Sequence, residues 1–477
     1  MLAAISVVRE SMTASSELEH LGLAQQAVAA GRWADAVAYA QAILNGSAPE
    51  VFFPALQLAC WAQANIGGKP AARELYVLHA AAIWRMLALA APDPAWLRGA
   101  LDAAILAEDF TTIRALFNKI YQPAWEGIDV AASPHMPLAA WSQASGVALT
   151  TIEPAHTEAD PHGRWRYEAE AVTALAVDGA EILLGWDFVV TPNGVVLNDS
   201  GYASLAMTHA ACPHYVGVDR VVHSWQPAAV DVDADVLVMS APPDLFIGHW
   251  IIDFLPRLRA LPAASDFKIV IPDELPQKLR DLLALFGIVL ERLMPLPRGR
   301  RYRFRRALVV HTGDPHKPSA ATVQFVGNAL RAPEPTDVPR LRLHLLRDTA
   351  ARSIANRVEV DALLVRYGFE TAALATLSIA DQRERLGRAE IVIATYGSDL
   401  LANLFMPPGA HLIELNYDPA ALDAGAAPRS AFLAVDHHLL TCRRAAHSAV
   451  TGHRKDSDFL VDCVALETLL RDILVEA

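Results

Sequence analysis

His249, Asp253 and Arg257 recur at every fourth position of GHWIIDFLPRLRAL, residues 248–261. A helix there stacks an imidazole, a carboxylate and a guanidinium on one face. Polar groups kept in an apolar run need a partner or a purpose. The imidazole is a proton acceptor near neutral pH, and a carboxylate one turn away can fix its tautomer or take a proton itself. The plainer reading is a helix-capping His249 beside a surface Asp253–Arg257 pair. A second stretch, TYGSDLLANLFMPPGAHLIELNY (residues 395–417), places a turn at Gly397-Ser398 after the strand-like run 389–395. Further on, Glu414 ends another short apolar run. A carboxylate at a strand end facing a cleft suits ribose hydroxyls. Internal pairing of Glu414 with an arginine is the alternative.

The elements that must position these groups follow from the rhythm of the chain. Its 477 residues exceed what one core accommodates, so two or three domains are expected. Hydrophobic residues make up 53%, in alanine-rich amphipathic runs rather than in any charge-free stretch long enough to span a bilayer. Up to about residue 120 the pattern is helical: a hairpin broken at Gly31, then helices at 54–66, 71–90, 94–107 and 110–120. The first hairpin, with Gly31-Arg32-Trp33 at its turn, resembles a tetratricopeptide unit. A loop is expected at 122–146, followed by irregular β-runs, a turn at Asn198-Asp199-Ser200-Gly201 and a short helix at 202–208. After about Val222 strands and helices alternate, with a proline-rich break at 332–339. Such alternation implies mostly parallel sheets with helices on both faces, and two such units leave a crevice at the strand carboxyl ends. The expected division is a helical domain (1–128), an irregular β-containing region (129–221) and two α/β domains (222–335 and 336–477), a geometry that suits a two-domain nucleotide-sugar transferase, with the donor on the second domain, and equally a periplasmic-type binding protein.

Within this order the chain resembles glycosyltransferase family 61. The resemblance rests on three segments in register over roughly residues 174–475. The first is carried by His249, Trp250, Asp253, Leu255, Pro256 and Arg257, the second by Arg347, Arg352 and Asn356. The third is carried by Gly397, Ser398, Phe405, Pro407, Pro408, Gly409 and Glu414. It implies a GT-B-like pair of Rossmann-like domains, here preceded by the all-α tetratricopeptide-like domain. It also implies inverting transfer of a sugar from a nucleotide donor to a glycan or glycoconjugate, without a bound metal or other cofactor. A UDP-sugar is the expected donor, as the commonest in such families. Known members modify glycoproteins or plant polysaccharides, and bacterial relatives are associated with capsule and envelope polysaccharides. The chain departs from the family pattern at Tyr396, where histidine is common, at Ala402, where asparagine is common, and at Asp399, where a small residue is usual. Those departures motivate a competing reading, a non-catalytic relative that binds a glycan or a protein.

Inverting transfer needs a base for the acceptor hydroxyl and charge stabilisation for the leaving diphosphate. His249 is the first candidate for the base, because a neutral imidazole takes a proton near neutral pH, with Asp253 as its orienting partner or substitute. Diphosphate binding falls to Arg347 and Arg352 with the backbone at Gly397 and Ser398, since a guanidinium fork matches two phosphate oxygens and a helix start offers free amides. Asn356 and Glu414 complete the donor site. Solvated arginines, or pairing with Asp348, form the competing reading.

Other features are weaker. Two groups, His311, Asp314 and His316, and Asp436-His437-His438, lack a regular metal-ligand spacing. Asp231, Asp233 and Asp235 open a strand. The arginine run at 297–306 fits either phosphate binding or a strand with a charged outer face. A net charge of −13 argues against nucleic acid and anionic membranes. Four scattered cysteines (Cys60, Cys212, Cys442 and Cys463) match neither a zinc site nor a disulfide scaffold. With no signal-like N-terminus, cytoplasmic residence is expected, at most peripheral at the inner membrane face, and the helical domain is the surface that a protein partner would use.

Overall fold

The computed structural model describes residues 14–44, 49–89, 94–107, 109, 111–113, 115–116, 129–161, 163–184, 188–197, 214–216, 220–225, 229–239, 247–261, 266–297, 300–333, 338–347, 352–417, 425–445 and 458–476. The expected turn at 198–201, the helix at 202–208, Cys212, Asp348 and most of the helix at 110–120 lie outside them. The chain divides into two compact units, one comprising residues 1–135, 194–196 and 203–229, the other the remainder.

The first unit begins with helices Ala14–Ala29, Trp33–Leu44, Pro49–Leu87 and Pro94–Leu106. Gly31, at φ 68°, makes the turn between the first two, as its lack of Cβ allows. Within Pro49–Leu87 the backbone leaves helical geometry at Gly68, where φ is 73°, and Pro70 removes a backbone donor, so two helices meet there as expected at 54–66 and 71–90. Ile43, Leu56, Ile83, Leu101 and Leu116 close a shared core. This all-α region is consistent with a tetratricopeptide-like domain. The same unit also holds strand Asp129–Met136, antiparallel to Arg220–Trp225. Among the described residues no helix is long and apolar enough to cross a membrane.

Part of the expected loop at 122–146 is ordered secondary structure. Helix Leu138–Ser145 starts after Pro137, ends at a left-handed Gly146 and buries Leu138 and Trp141. Two apolar anchors spaced by three suffice to seat a short helix that a proline-rich composition disguises.

The described residues of the second unit form two large sheets and two two-stranded ribbons, His156–Ala159 with Arg166–Ala169 and Arg443–Arg444 with Phe459–Leu460. In the first sheet, strands Leu293–Leu296, Lys268–Pro272, Val230–Val238 and Arg301–His311 run parallel in that spatial order. Val172–Asp178 and Glu181–Leu183 then pair antiparallel with Arg301–His311, so this sheet is mixed rather than mostly parallel. The arginine run is the charged face of that last strand: Tyr302 and Phe304 point into the core, while Arg303 pairs with Glu181 at 2.6 Å and Asp231 at 3.1 Å. Arg305 pairs with Asp235 at 2.7 Å and Asp233 at 3.0 Å. The basic run and the acidic triplet are thus one cross-strand ladder.

The second sheet is entirely parallel, in the order Phe369–Ala372, Leu341–Leu345, Ala389–Thr395, His411–Asn416, Asp436–Thr441. Its central strands bury Ile391, Ile393, Ile413 and Leu415 against helices Arg357–Arg366 and Cys463–Glu476. The winding direction reverses between Leu341–Leu345 and Ala389–Thr395. Ligands of open parallel sheets bind outside the carboxyl ends at such a reversal. Arg347 and Gly397 follow those two strand ends.

Candidate functional site

The helix expected at 249–261 is not regular. One α-turn at Ile247–His249 widens into a π-turn at Trp250–Phe254 and tightens into a 3-10 helix at Leu255–Ala260. Pro256 lacks the backbone donor that an α-helix requires, and π-turns recur at functional sites. The irregularity separates the three residues. His249 Nδ1 meets Asp253 Oδ2 at 2.8 Å, with Asp253 only 6% exposed. Arg257 turns inward, 2% exposed, donating to the Val238 carbonyl with its guanidinium 4.3 Å from the Phe254 ring centre. The surface Asp253–Arg257 pair is therefore excluded by burial. With Nδ1–H donated to Asp253, the basic nitrogen of His249 is Nε2.

His249 lines a cavity of about 270 Å³ whose other walls carry Arg347, Arg352, Gly397, Ser398 and Glu414. Arg347 and Arg352 donate to the same acceptor, the Tyr396 carbonyl, at 3.3 and 3.4 Å. Arg352 does so from a left-handed backbone, φ 63°, uncommon for a side chain of its size. Gly397 makes room for both: a Cβ there would coincide with Arg347 Nη1 and stand 3.0 Å from Arg352 Nη1. Ser398 begins a 3-10 helix rather than the expected α-helix at 400–405. Asp399 is the counter-charge in this corner; burial raises its carboxyl above the usual range while Arg347 and Arg352 pull it back. A second cavity of about 320 Å³ adjoins, with Arg347, Ser398, Gly248 and Leu401 common to both.

Residues 247–413 match the Glycosyltransferase 61 family model. No curated protein matches the chain. The matched segment carries His249, Asp253, Arg347, Arg352, Gly397 and Ser398, while Glu414 falls one residue past its end.

Two expected donor-site residues need correction or qualification. Asn356 does not line the cavity: its amide donates to the Val461 carbonyl at 2.9 Å and accepts from Val461 N at 3.0 Å, clamping the chain before the last helix. A side-chain amide engaged on both ends has little left for a ligand. Glu414 is on the cavity wall, but Asn416 donates to Oε1 at 2.6 Å and His437 meets Oε2 at 2.9 Å. Its hydrogen-bond partners among the described residues are thus an asparagine and a histidine, with the charge of Arg429 close enough to be felt, and only its remaining lone pairs can serve a ligand.

Two lining residues of this cavity, His316 and Arg429, are not among the expected donor-site groups. His316 was weighed only as a metal ligand. Arg429 stands in the short helix Ala426–Phe432, in an alanine-rich run where one retained guanidinium is the sole sequence signal.

Proposed function

We propose that the protein is an inverting glycosyltransferase that moves a sugar from a nucleotide donor to a glycan or glycoconjugate. The observation that carries this reading is one cavity lined by His249, which is held by the buried Asp253, together with Arg347, Arg352 and Gly397. His249 Nε2 removes the acceptor proton while Asp253 holds the ring and stabilises the imidazolium that forms. The Arg347 and Arg352 forks, with the backbone at Gly397 and Ser398, hold the diphosphate. Remaining lone pairs of Glu414 accept from a ribose hydroxyl. The donor is a UDP-sugar in this reading, the setting is envelope or capsular polysaccharide synthesis in the cytoplasm, and the two α/β parts at 222–335 and 336–477 act as a GT-B-like pair.

The competing reading is a relative that binds glycans without transferring sugar. Asp399 favours it, since a carboxylate beside Arg347 and Arg352 competes with a diphosphate. Calorimetry against UDP-, GDP-, CMP- and dTDP-sugars, followed by a nucleotide-release assay, separates the two. Binding with release upon acceptor addition supports transfer, and binding of no donor supports the competing reading.

A further inference from the structure

The lining of the His249 cavity includes Arg429, a guanidinium with an unmet hydrogen-bonding demand. Arg429 is 7% exposed, and its one described hydrogen bond is a long one, Nη1 to the Pro315 carbonyl at 3.4 Å. Its Nε is buried without a hydrogen-bond partner among the described residues. A guanidinium has five N–H donors, and burying a charge without a partner is costly. The chain makes a slot for this one: a Cβ at Gly425, a left-handed residue at φ 90°, would stand 2.5 Å from Arg429 Nη1. Burial pulls the group down to about 10, with Glu414 and then Asp253 among the charges opposing that fall. Arg347 and Arg352 instead act on Asp399. Arg429 thus shares the cavity lining with His249, and the charges of Glu414 and Asp253 reach it.

We propose that Arg429 is a catalytic residue that binds the phosphate leaving the sugar, the one nearest the reacting carbon, in the cavity it shares with Arg347 and Arg352. The proposal rests on the glycosyl-transfer reading and adds a residue beyond the family-matched segment. In the step it serves, the acceptor O–H gives its proton to His249 Nε2 as the acceptor oxygen bonds to the anomeric carbon. The bond from that carbon to the phosphate oxygen breaks, and its electron pair leaves with the nucleoside diphosphate, which gains one negative charge. A buried guanidinium at that oxygen favours the product-like charge over the donor's.

The test compares Arg429→Met, Arg429→Lys and Arg347→Ala for binding of a nucleoside diphosphate and of its sugar ester, and for kcat and KM. Each base from the uridine, guanosine, cytidine and thymidine series is tried in turn. Arg429→Met is expected to weaken nucleoside diphosphate binding about tenfold or more, and sugar-ester binding less. It lowers kcat more than it raises KM, and Arg429→Lys recovers part of the loss. Its thermal midpoint without ligand stays at or above the parent's, since a buried charge held by only one long hydrogen bond has been removed. Equal loss for both ligands, no loss for either, or a midpoint far below the parent's overturns the proposal. If the parent binds no member of any series, the glycosyl-transfer reading fails and this inference with it. If the parent binds and Arg347→Ala does not, while Arg429→Met behaves as the parent, only the role of Arg429 falls.

Discussion

The guanidinium of Arg347 occupies the space that a side chain on residue 397 would need. Gly397→Ala is therefore expected to displace Arg347 and to strain a backbone at φ 142°, by roughly 1–3 kcal/mol. Nucleotide binding should fall to the level of Arg347→Ala, and the double variant should bind no worse than either single one. Calorimetry on the four proteins checks this; independent, additive losses would mean that the two residues do not act as one site.

Arg347→Ala itself removes a charge-assisted contact to phosphate, worth on the order of 2–5 kcal/mol if desolvated. The loss should appear for both nucleotide and nucleotide sugar, and it should shrink for a nucleoside lacking phosphate. A titration series of nucleoside, monophosphate and diphosphate reads the effect directly.

A pH effect on stability follows from His344, fully buried in strand Leu341–Leu345. Burial pushes its imidazole from 6.5 down to about 4, even with Asp361 Oδ1 at 3.4 Å. The unfolded chain then holds this proton more readily than the folded one. Stability from this group is complete above pH 6.5, declines as pH falls through the interval, and is fully lost below about 4. The size is on the order of 3 kcal/mol. Denaturant titrations between pH 7 and 4 should show the decline, and His344→Leu should flatten it.

The arginine ladder gives a contrasting expectation. Arg303 and Arg305 are exposed and paired with Glu181, Asp231, Asp233 and Asp235. Replacing both with glutamine should move the unfolding midpoint little, less still in high salt, and should leave donor binding unchanged. A large loss of nucleotide affinity would return this strand to the list of phosphate-binding surfaces.

How far the sequence leads depends on the distance over which each group acts. The His249–Asp253 contact was legible because the partners are four residues apart, and either an α- or a π-turn brings them together. Arg257 was misplaced because the expectation assumed a regular helix, and Pro256 with the π-turn rotates it inward. Strand Ala389–Thr395 formed at its expected bounds because an apolar run of β-branched residues ends at a glycine turn. Asn356 looked like a ligand by position, yet its partner Val461 is 105 residues away and left no local trace. Arg429 was passed over for the same reason, since its cavity neighbours His249 and Arg347 come from distant strands and turns.

The account stands most directly on His249. A single preparation of His249→Ala, given the donor that the parent binds and an acceptor that the parent glycosylates, should be measured for both donor affinity and transfer rate. Donor affinity should match the parent's, because a base acts chiefly in the transition state, while transfer should fall by about 10²–10⁴-fold. Transfer at the parent rate would contradict the assignment of the base to His249.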